Sequence, residues 1–229
     1  MGEDRTGLKR ERAAASAVSL VTDGMVLGLG TGSTAERAIR LIGLRLQSER
    51  LELVGVPTSY RTEQLAIACG IPLTTLSAHP VLDLSIDGAD QVDPHLAVLK
   101  GGWGSHTREK IVAYAANRRI ICVDDGKLVP ELSKPVPLEV LPYAVKVVER
   151  QVRELGGTPV VRLDGTRGGY FITEHGNLIV DADFGAIHDP ETLSRALSTV
   201  VGTVEHGLFM NVSEVHVGAE RAVKILKKA

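Results

Sequence analysis

Residues 85–110 read SIDGADQVDPHLAVLKGGWGSHTREK, and this stretch decides the fold. An apolar strand pattern, Val81 to Ile86, runs into Asp87-Gly88-Ala89-Asp90. A second short apolar run, Leu96 to Leu99, delivers Lys100 into Gly101-Gly102, and a helix starts near Thr107 with Arg108, Glu109 and Lys110 in its first turn. Two carboxylates, an ammonium, a glycine turn and a third carboxylate therefore stand at strand ends or at a helix start. An open α/β sheet places its ligand at such positions. Asp and Gly also end strands that carry no site. For Asp87 alone the two readings weigh equally; the whole constellation favours a site.

Upstream, Ala13, Ala14, Ala17, Val18 and Val21 have helical spacing, closed by Asp23-Gly24, and residues 1 to about 7 are expected to be loose. Met25 to Leu29 reads as a buried strand. It passes into Gly28-Leu29-Gly30-Thr31-Gly32-Ser33-Thr34, and Ala35 to Leu46 resumes a helical pattern. Such a strand–glycine loop–helix unit is an anion cradle. Glycines Gly30 and Gly32 let backbone N–H groups converge, the helix start adds partial positive charge, and Thr31, Ser33 and Thr34 bring hydroxyls. No lysine precedes the hydroxyl residue as in a Walker A loop, and Ser33 stands where a dinucleotide fingerprint needs glycine. Hydroxyls crowded into the turn suit a terminal phosphate. The plainer reading is a tight turn capped by Ser33 or Thr34.

Further strands are expected at Leu51–Val56 and Arg119–Val123. Between them lie a helix opened by Pro57-Thr58-Ser59 and closed by Gly70, and a strand or extended loop at Ile71–Leu76. The strand at Arg119–Val123 ends in Asp124-Asp125-Gly126-Lys127, again with a lysine just past a strand end. Strand–helix alternation argues for a parallel sheet covered on both faces. The texture changes at Pro130. A short extended piece at Leu138–Val140, a helix stripe from Val145 to Leu155, strands at Val160–Leu163, Gly169–Ile172 and Asn177–Asp181, a helix at Pro190–Val200 and a return through Thr203 to Phe209 read as a compact α+β unit of ferredoxin-like type. A strand at Glu214–Val217 and a helix at Ala219–Leu226 are expected to complete the first domain. The expected domains are 1–132 and 209–229 together, with 133–208 inserted as the smaller one.

Composition narrows the function classes. The 229 residues are 44% hydrophobic and 3% aromatic, with a formal net charge of −2. The core must be aliphatic, and nothing electrostatic argues for a nucleic-acid partner. Cys69 and Cys122 sit far apart in apolar contexts, as buried small hydrophobes do. No apolar run approaches the ~20 residues of a membrane span, and no signal-type segment follows the charged first residues. The expectation is a cytoplasmic protein without a membrane partner. The seven histidines show no metal-ligand spacing, so no metal or other cofactor is expected. Trp103 reads equally as a lid and as a cover for the glycine turn.

With the glycine–hydroxyl loop as phosphate seat, Asp87, Asp90, Lys100 and Glu109 form the reactive cluster. No Ser-His or Cys-His arrangement is evident. Carboxylate plus lysine suits proton transfer next to a carbonyl: a carboxylate takes a proton from carbon while a lysine stabilises the enediolate oxygen. A phosphate seat then makes a small phosphorylated sugar the natural substrate.

The chain resembles the type A ribose-5-phosphate isomerase family. The resemblance rests on GLGTGSTA at 28–35, DGAD at 87–90, Lys100-Gly101-Gly102, TREK at 107–110, Lys127 after a strand, PLEVLP at 137–142, GG at 156–157, HGN at 175–177 and HGLF at 206–209, in order along nearly the whole chain. It implies a Rossmann-like large domain with a smaller α+β domain, metal-independent interconversion of ribose 5-phosphate and ribulose 5-phosphate, and a homodimer or homotetramer. It implies that Glu109 shuttles the proton between C1 and C2, and that Asp87 serves ring opening and proton transfer at the sugar oxygens. Asp90 and Lys100 would bind hydroxyls and stabilise the enediolate beside Gly101 and Gly102. Thr31, Ser33 and Thr34 would hold the 5-phosphate, with Lys127 near the substrate. This chain departs from the family pattern at Gln91, where Glu is usual, at Trp103, at Gly126, at Glu174-His175 and at Val201. Two other functions fit the motifs: isomerisation of a different sugar phosphate on the same scaffold, and sugar-phosphate sensing without catalysis. The basic cluster Lys9-Arg10 with Arg12 would serve a DNA-binding sensor, but no helix-turn-helix fits ahead of the glycine loop.

Overall fold

A computed structural model describes residues 5–166 and 168–227. In chain order its elements begin with α1 (Arg5–Val18), β1 (Val26–Leu29), α2 (Ser33–Ser48), β2 (Val54–Pro57), α3 (Tyr60–Ala68) and β3 (Leu82–Asp87). A short hairpin follows, β4 (Gln91–Val92) and β5 (Val98–Leu99), then α4 (His106–Ala115) and β6 (Ala116–Asp124). Next come β7 (Val136–Val140), α5 (Val145–Glu154), β8 (Thr158–Val161), β9 (Leu178–Asp183), α6 (Pro190–Leu197) and β10 (Thr203–His206). The chain ends with β11 (Leu208–Phe209), β12 (Glu214–Gly218) and β13 (Val223–Lys227). No helix among the described residues is long and apolar enough to cross a membrane.

The chain forms two compact units, one of 1–89, 108–128 and 211–229 and the other of 90–107 and 129–210. The sequence placed 90–107 in the large domain. Contacts place it in the second unit, because β5 pairs with β11 and Lys100 N–H donates to Gly207 O at 2.9 Å.

The first unit is built on a six-stranded sheet in the order β13-β12-β6-β3-β1-β2. Strands β2, β1, β3, β6 and β12 are parallel, and their order reverses between β1 and β3. That is the topological switch point of a doubly wound sheet. Leu27, Leu29, Leu84, Ile86 and Ile120 fill the core with Ala13, Ala17, Ile39 and Ile42 from the helices. Two glycines are set by close approach. A Cβ at Gly28 would lie 2.6 Å from Val112 Cγ1 of α4, and one at Gly218 would lie 1.8 Å from Lys9 O of α1. Helix α1 begins at Arg5, so residues 5–7 are helical rather than loose; residues 1–4 lie outside the described residues.

The expected C-terminal helix at 219–226 is instead β13, antiparallel to β12. Eight residues make a marginal helix. As a strand the same segment closes the exposed edge of β12, with Lys224 and Lys227 on the new edge.

The second unit runs β7-α5-β8-β9-α6-β10 with sheet order β10-β7-β9-β8, the ferredoxin-like arrangement. Leu138, Val140, Val148, Val152, Val180 and Leu197 form its core. The Val145–Leu155 stripe predicts α5, and Gly156 ends it at φ +87°. The strand expected at Gly169–Ile172 is absent. Only single bridges, Leu163 to Tyr170 and Ile172 to Leu178, form there, and Tyr170 and Ile172 are exposed, so no buried face specifies a ladder.

Candidate active site

Within the first unit, the switch point gathers the glycine loop and the end of β3. Gly30 N–H donates to Ile86 O at 3.0 Å. The N–H groups of Thr31 and Gly88 donate to Asp87 Oδ1 at 3.1 and 2.7 Å. Asp87 is buried, and a Cβ at Gly30 would stand 2.3 Å from its Cγ. Glycine is required at 30 so that loop and carboxylate can touch. Below the β6 end, burial and the Asp87 charge push the Cys122 thiol far up, which keeps it neutral and inert.

The Thr31 hydroxyl faces inward. It lies 2.8, 2.8 and 3.0 Å from the hydroxyls of Thr58, Ser59 and Thr62, and Thr62 Oγ1 donates to Gly30 O at 2.8 Å. The Thr31 hydroxyl, expected at the phosphate, is engaged here with these three hydroxyls. Helix α2 is capped by the Gly32 backbone at φ +105°, with no side-chain cap, so Ser33 and Thr34 are not its capping residues. A helix start of this kind leaves first-turn N–H groups without intrahelical partners, which suits an anion.

Ser33 is exposed, and its Oγ accepts from Arg10 Nη1 at 3.1 Å, while Arg10 Nε donates to Asp124 Oδ2 at 3.0 Å. Lys9 pairs with Asp125 at 2.8 Å, two residues before Lys127, which is half-buried. In the sequence the basic cluster reads as part of a rival function, because 23 residues separate Arg10 from Ser33.

Glu109 is buried in the first turn of α4. It lies one turn ahead of Val112, so it shares the helix face that packs on Gly28. The position suits a carboxylate, which the helix N-terminus stabilises.

Within the second unit, Asp90, Lys100, Gly101 and Gly102 come together. Asp90 Oδ2 accepts from Gly102 N–H at 2.9 Å. Gly101 has φ +107°, and a Cβ there would meet Pro137 at 2.5 Å. Lys100 is buried with Nζ 5.7 Å from the Phe209 ring centroid. Asp90, Lys100 and Gly102, with Lys134, Arg162 and Asp181, line a cavity of about 300 Å³. Trp103 is 58% exposed.

Glu139 acquires a role that its motif alone did not show. It is fully buried on β7 and accepts from Thr107 Oγ1, Thr173 Oγ1 (2.8 Å), His175 Nδ1 (2.9 Å) and Asn177 Nδ2 (2.8 Å). Burial pushes its carboxyl up, and these hydrogen bonds more than reverse the effect, holding it below the usual carboxylate range. Thr107 is the second residue of α4. Among the described residues no group of three or more His, Cys, Asp or Glu is arranged to hold a metal ion.

Known proteins match this arrangement along most of the chain. The model of one family, described as ribose 5-phosphate isomerase A (phosphoriboisomerase A), matches residues 54–222. The ribose-5-phosphate isomerase A of Methanosarcina acetivorans is 48% identical over 96% of this chain and 94% of its own. The solved ribose 5-phosphate isomerase A of Methanocaldococcus jannaschii superposes with a TM-score of 0.93 at 44% identity, covering 96% of this chain and 98% of that one. A solved D-ribose-5-phosphate isomerase in complex with phospho-erythronic acid gives 0.92 at 39% identity, covering 96% and 97%.

Proposed function

The chain belongs to the ribose 5-phosphate isomerase A family and interconverts D-ribose 5-phosphate and D-ribulose 5-phosphate, and from that premise we propose how its residues divide the reaction. An aldose–ketose interconversion moves a proton between adjacent carbons and another between their oxygens, through an enediolate. Glu109 takes the proton from C2 and returns it at C1. Asp87 serves ring opening and the proton transfer between oxygens. Lys100 meets the negative charge that develops on the enediolate oxygen, where a fixed cation lowers the barrier. Asp90 orients a sugar hydroxyl. The α2 N-terminus, with Ser33, Thr34 and Arg10, receives the 5-phosphate, and Lys127 supplies further positive charge. Side chains carry each proton in this scheme, and turnover continues with a chelator present.

The observation that carries this division is the coupling of Asp87 to the loop ahead of α2: one carboxylate oxygen receives the N–H of Thr31, three residues before Thr34. The relative bound to phospho-erythronic acid supports it, since that ligand joins a carboxylate to a phosphate. A sugar-phosphate panel tests it. Ribulose 5-phosphate forms from ribose 5-phosphate at least about 100-fold faster than ketoses form from arabinose 5-phosphate or glucose 6-phosphate. A better rate on another sugar phosphate would reassign the substrate.

The protein is further proposed to be a homodimer or homotetramer. Leu141, Tyr143 and Val201 of the second unit are exposed apolar side chains that a second copy would cover. Light scattering at the monomer mass would remove this part of the proposal.

A further inference from the structure

The residue after β8 is a guanidinium that the reaction scheme leaves without a role. Arg162 donates from Nε and Nη2 to the two carboxylate oxygens of Asp181, at 2.8 and 2.5 Å. Its Nη1 donates to Gly101 O at 2.9 Å and reaches Gly102 O at 3.4 Å. Its central carbon lies 5.9 Å from the Phe171 ring centroid. The main chain at Arg162 is held as well: its N–H donates to Ile179 O at 2.8 Å, and its carbonyl accepts from Phe171 N–H at 2.9 Å. Asp181 sits on β9 between Pro137 of β7 and Val160 of β8. The guanidinium is thus fixed by a carboxylate on a central strand, and it points its remaining fork at the turn after Lys100.

That turn is held by backbone and side-chain bonds together. Gly207 O receives Lys100 N–H at 2.9 Å, and Asp90 receives Gly102 N–H at 2.9 Å. Gly101 O also accepts the N–H of Gly104 at 3.0 Å, and Arg162 adds a side-chain donor to both glycine carbonyls. Gly101 at φ +107° and the bare Gly102 have wide backbone freedom of their own. Without the Arg162 brace, Gly101 O keeps only the Gly104 N–H, and the turn that follows Lys100 is held less tightly.

We propose that Arg162, oriented by Asp181, is a positioning residue for the isomerase reaction: it fixes the Lys100-Gly101-Gly102 turn and through it the aim of the Lys100 ammonium. The proposal rests on the reading of Lys100 as the group that stabilises the enediolate. Arginine is required because one planar fork must serve a carboxylate on one side and carbonyls on the other, which a lysine point charge cannot do. A misplacement of about 1 Å at a reacting group is enough to lower a rate by about 100-fold.

The test compares Arg162→Lys, Arg162→Gln and the near-isosteric Asp181→Asn with Lys100→Ala, alone and combined. Each variant is checked for native circular dichroism and a thermal transition above the assay temperature. The expected result is a fall in kcat of about 10- to 100-fold for both Arg162 variants, with KM within about threefold, and a smaller fall for Asp181→Asn. Arg162→Gln added to Lys100→Ala lowers kcat less than threefold further, because the brace has lost what it aims. A merely structural pair would lower the transition temperature and leave kcat and this non-additivity unmoved. Folded Arg162 and Asp181 variants with wild-type kcat, or losses that multiply fully with Lys100→Ala, overturn the proposal while Lys100 keeps its role. Wild-type kcat in Lys100→Ala removes the reading of Lys100, and the brace with it. If both Arg162 variants fail to fold, Asp181→Asn decides on the same criteria.

Discussion

The backbone N–H of Thr31 donates to Asp87 Oδ1 at 3.1 Å, so the loop that follows β1 and the acid that ends β3 hold each other in place. The fit leaves no room for a side chain at Gly30, whose Cβ would lie 2.3 Å from Asp87 Cγ. Gly30→Ala therefore displaces Asp87. Overpacking of this kind destabilises by about 1–3 kcal/mol. The variant is expected to unfold at lower temperature and to lose at least about tenfold in kcat. Wild-type turnover in Gly30→Ala would separate Asp87 from the reaction.

Arg10 joins Ser33 at the start of α2 to Asp124 at the end of β6. If the α2 N-terminus receives the substrate phosphate, Arg10→Gln raises KM for ribose 5-phosphate by about tenfold and leaves kcat within about threefold, the mark of an interaction made equally in ground and transition states. Steady-state kinetics checks it. A pure kcat effect would place Arg10 with the proton-transfer groups instead.

Acid stability follows from three buried groups. Burial pulls the His216 imidazole below its ordinary value despite Glu214 nearby. Burial raises Glu214 and Glu139, but Arg118 and Lys227 in one case and four hydrogen bonds in the other bring each below the usual carboxylate range. A folded-state pKa below the unfolded one means that the unfolded chain binds more protons as pH falls, so stability is lost on the acid side. The thermal midpoint is expected to fall first below pH about 6.5, where unfolded His216 takes up a proton, and again below about 4.5, where the carboxylates do. His216→Asn should flatten the upper step alone. A midpoint that rises between pH 7 and 5 would contradict the sign.

Gln91 stands where the family usually has glutamate, and its amide holds the segment before β7. Its Oε1 accepts from Ser133 N–H and Lys134 N–H, both at 2.9 Å, and its Nε2 donates to Ser133 Oγ at 3.2 Å. A carboxylate keeps both acceptor contacts, and the Ser133 hydroxyl can turn to donate. Gln91→Glu is expected to change stability by less than about 0.5 kcal/mol and turnover by less than about threefold. Gln91→Ala strands two N–H groups and costs about 1–3 kcal/mol. Denaturant unfolding of the pair distinguishes them.

The motifs were legible because a switch point is made of strand ends and helix starts, which are local in sequence. Gly28 to Thr34, Asp87 and Glu109 each announce their element. What stayed hidden depends on partners far along the chain. The Thr31 hydroxyl reads as a phosphate contact until Thr58, Ser59 and Thr62 are seen to enclose it. Gly28 reads as part of an anion loop, yet its lack of a side chain is what admits Val112. Arg162 and Asp181 lie 19 residues apart in a loop and a strand, and strand register alone makes them partners. The last strand is not legible because Ala219 to Leu226 carries apolar residues at spacings that suit either a helix turn or an edge strand, and the open edge of β12 decides between them.

The most direct measurement is proton exchange at C2 of ribose 5-phosphate in deuterated water with a chelator present, followed alongside ribulose 5-phosphate formation in the wild type and in Glu109→Gln. The mechanism predicts exchange and product in the wild type, and loss of both by at least about 1,000-fold in Glu109→Gln with substrate binding retained. Exchange in Glu109→Gln at the wild-type rate would contradict it and assign the carbon proton to another base.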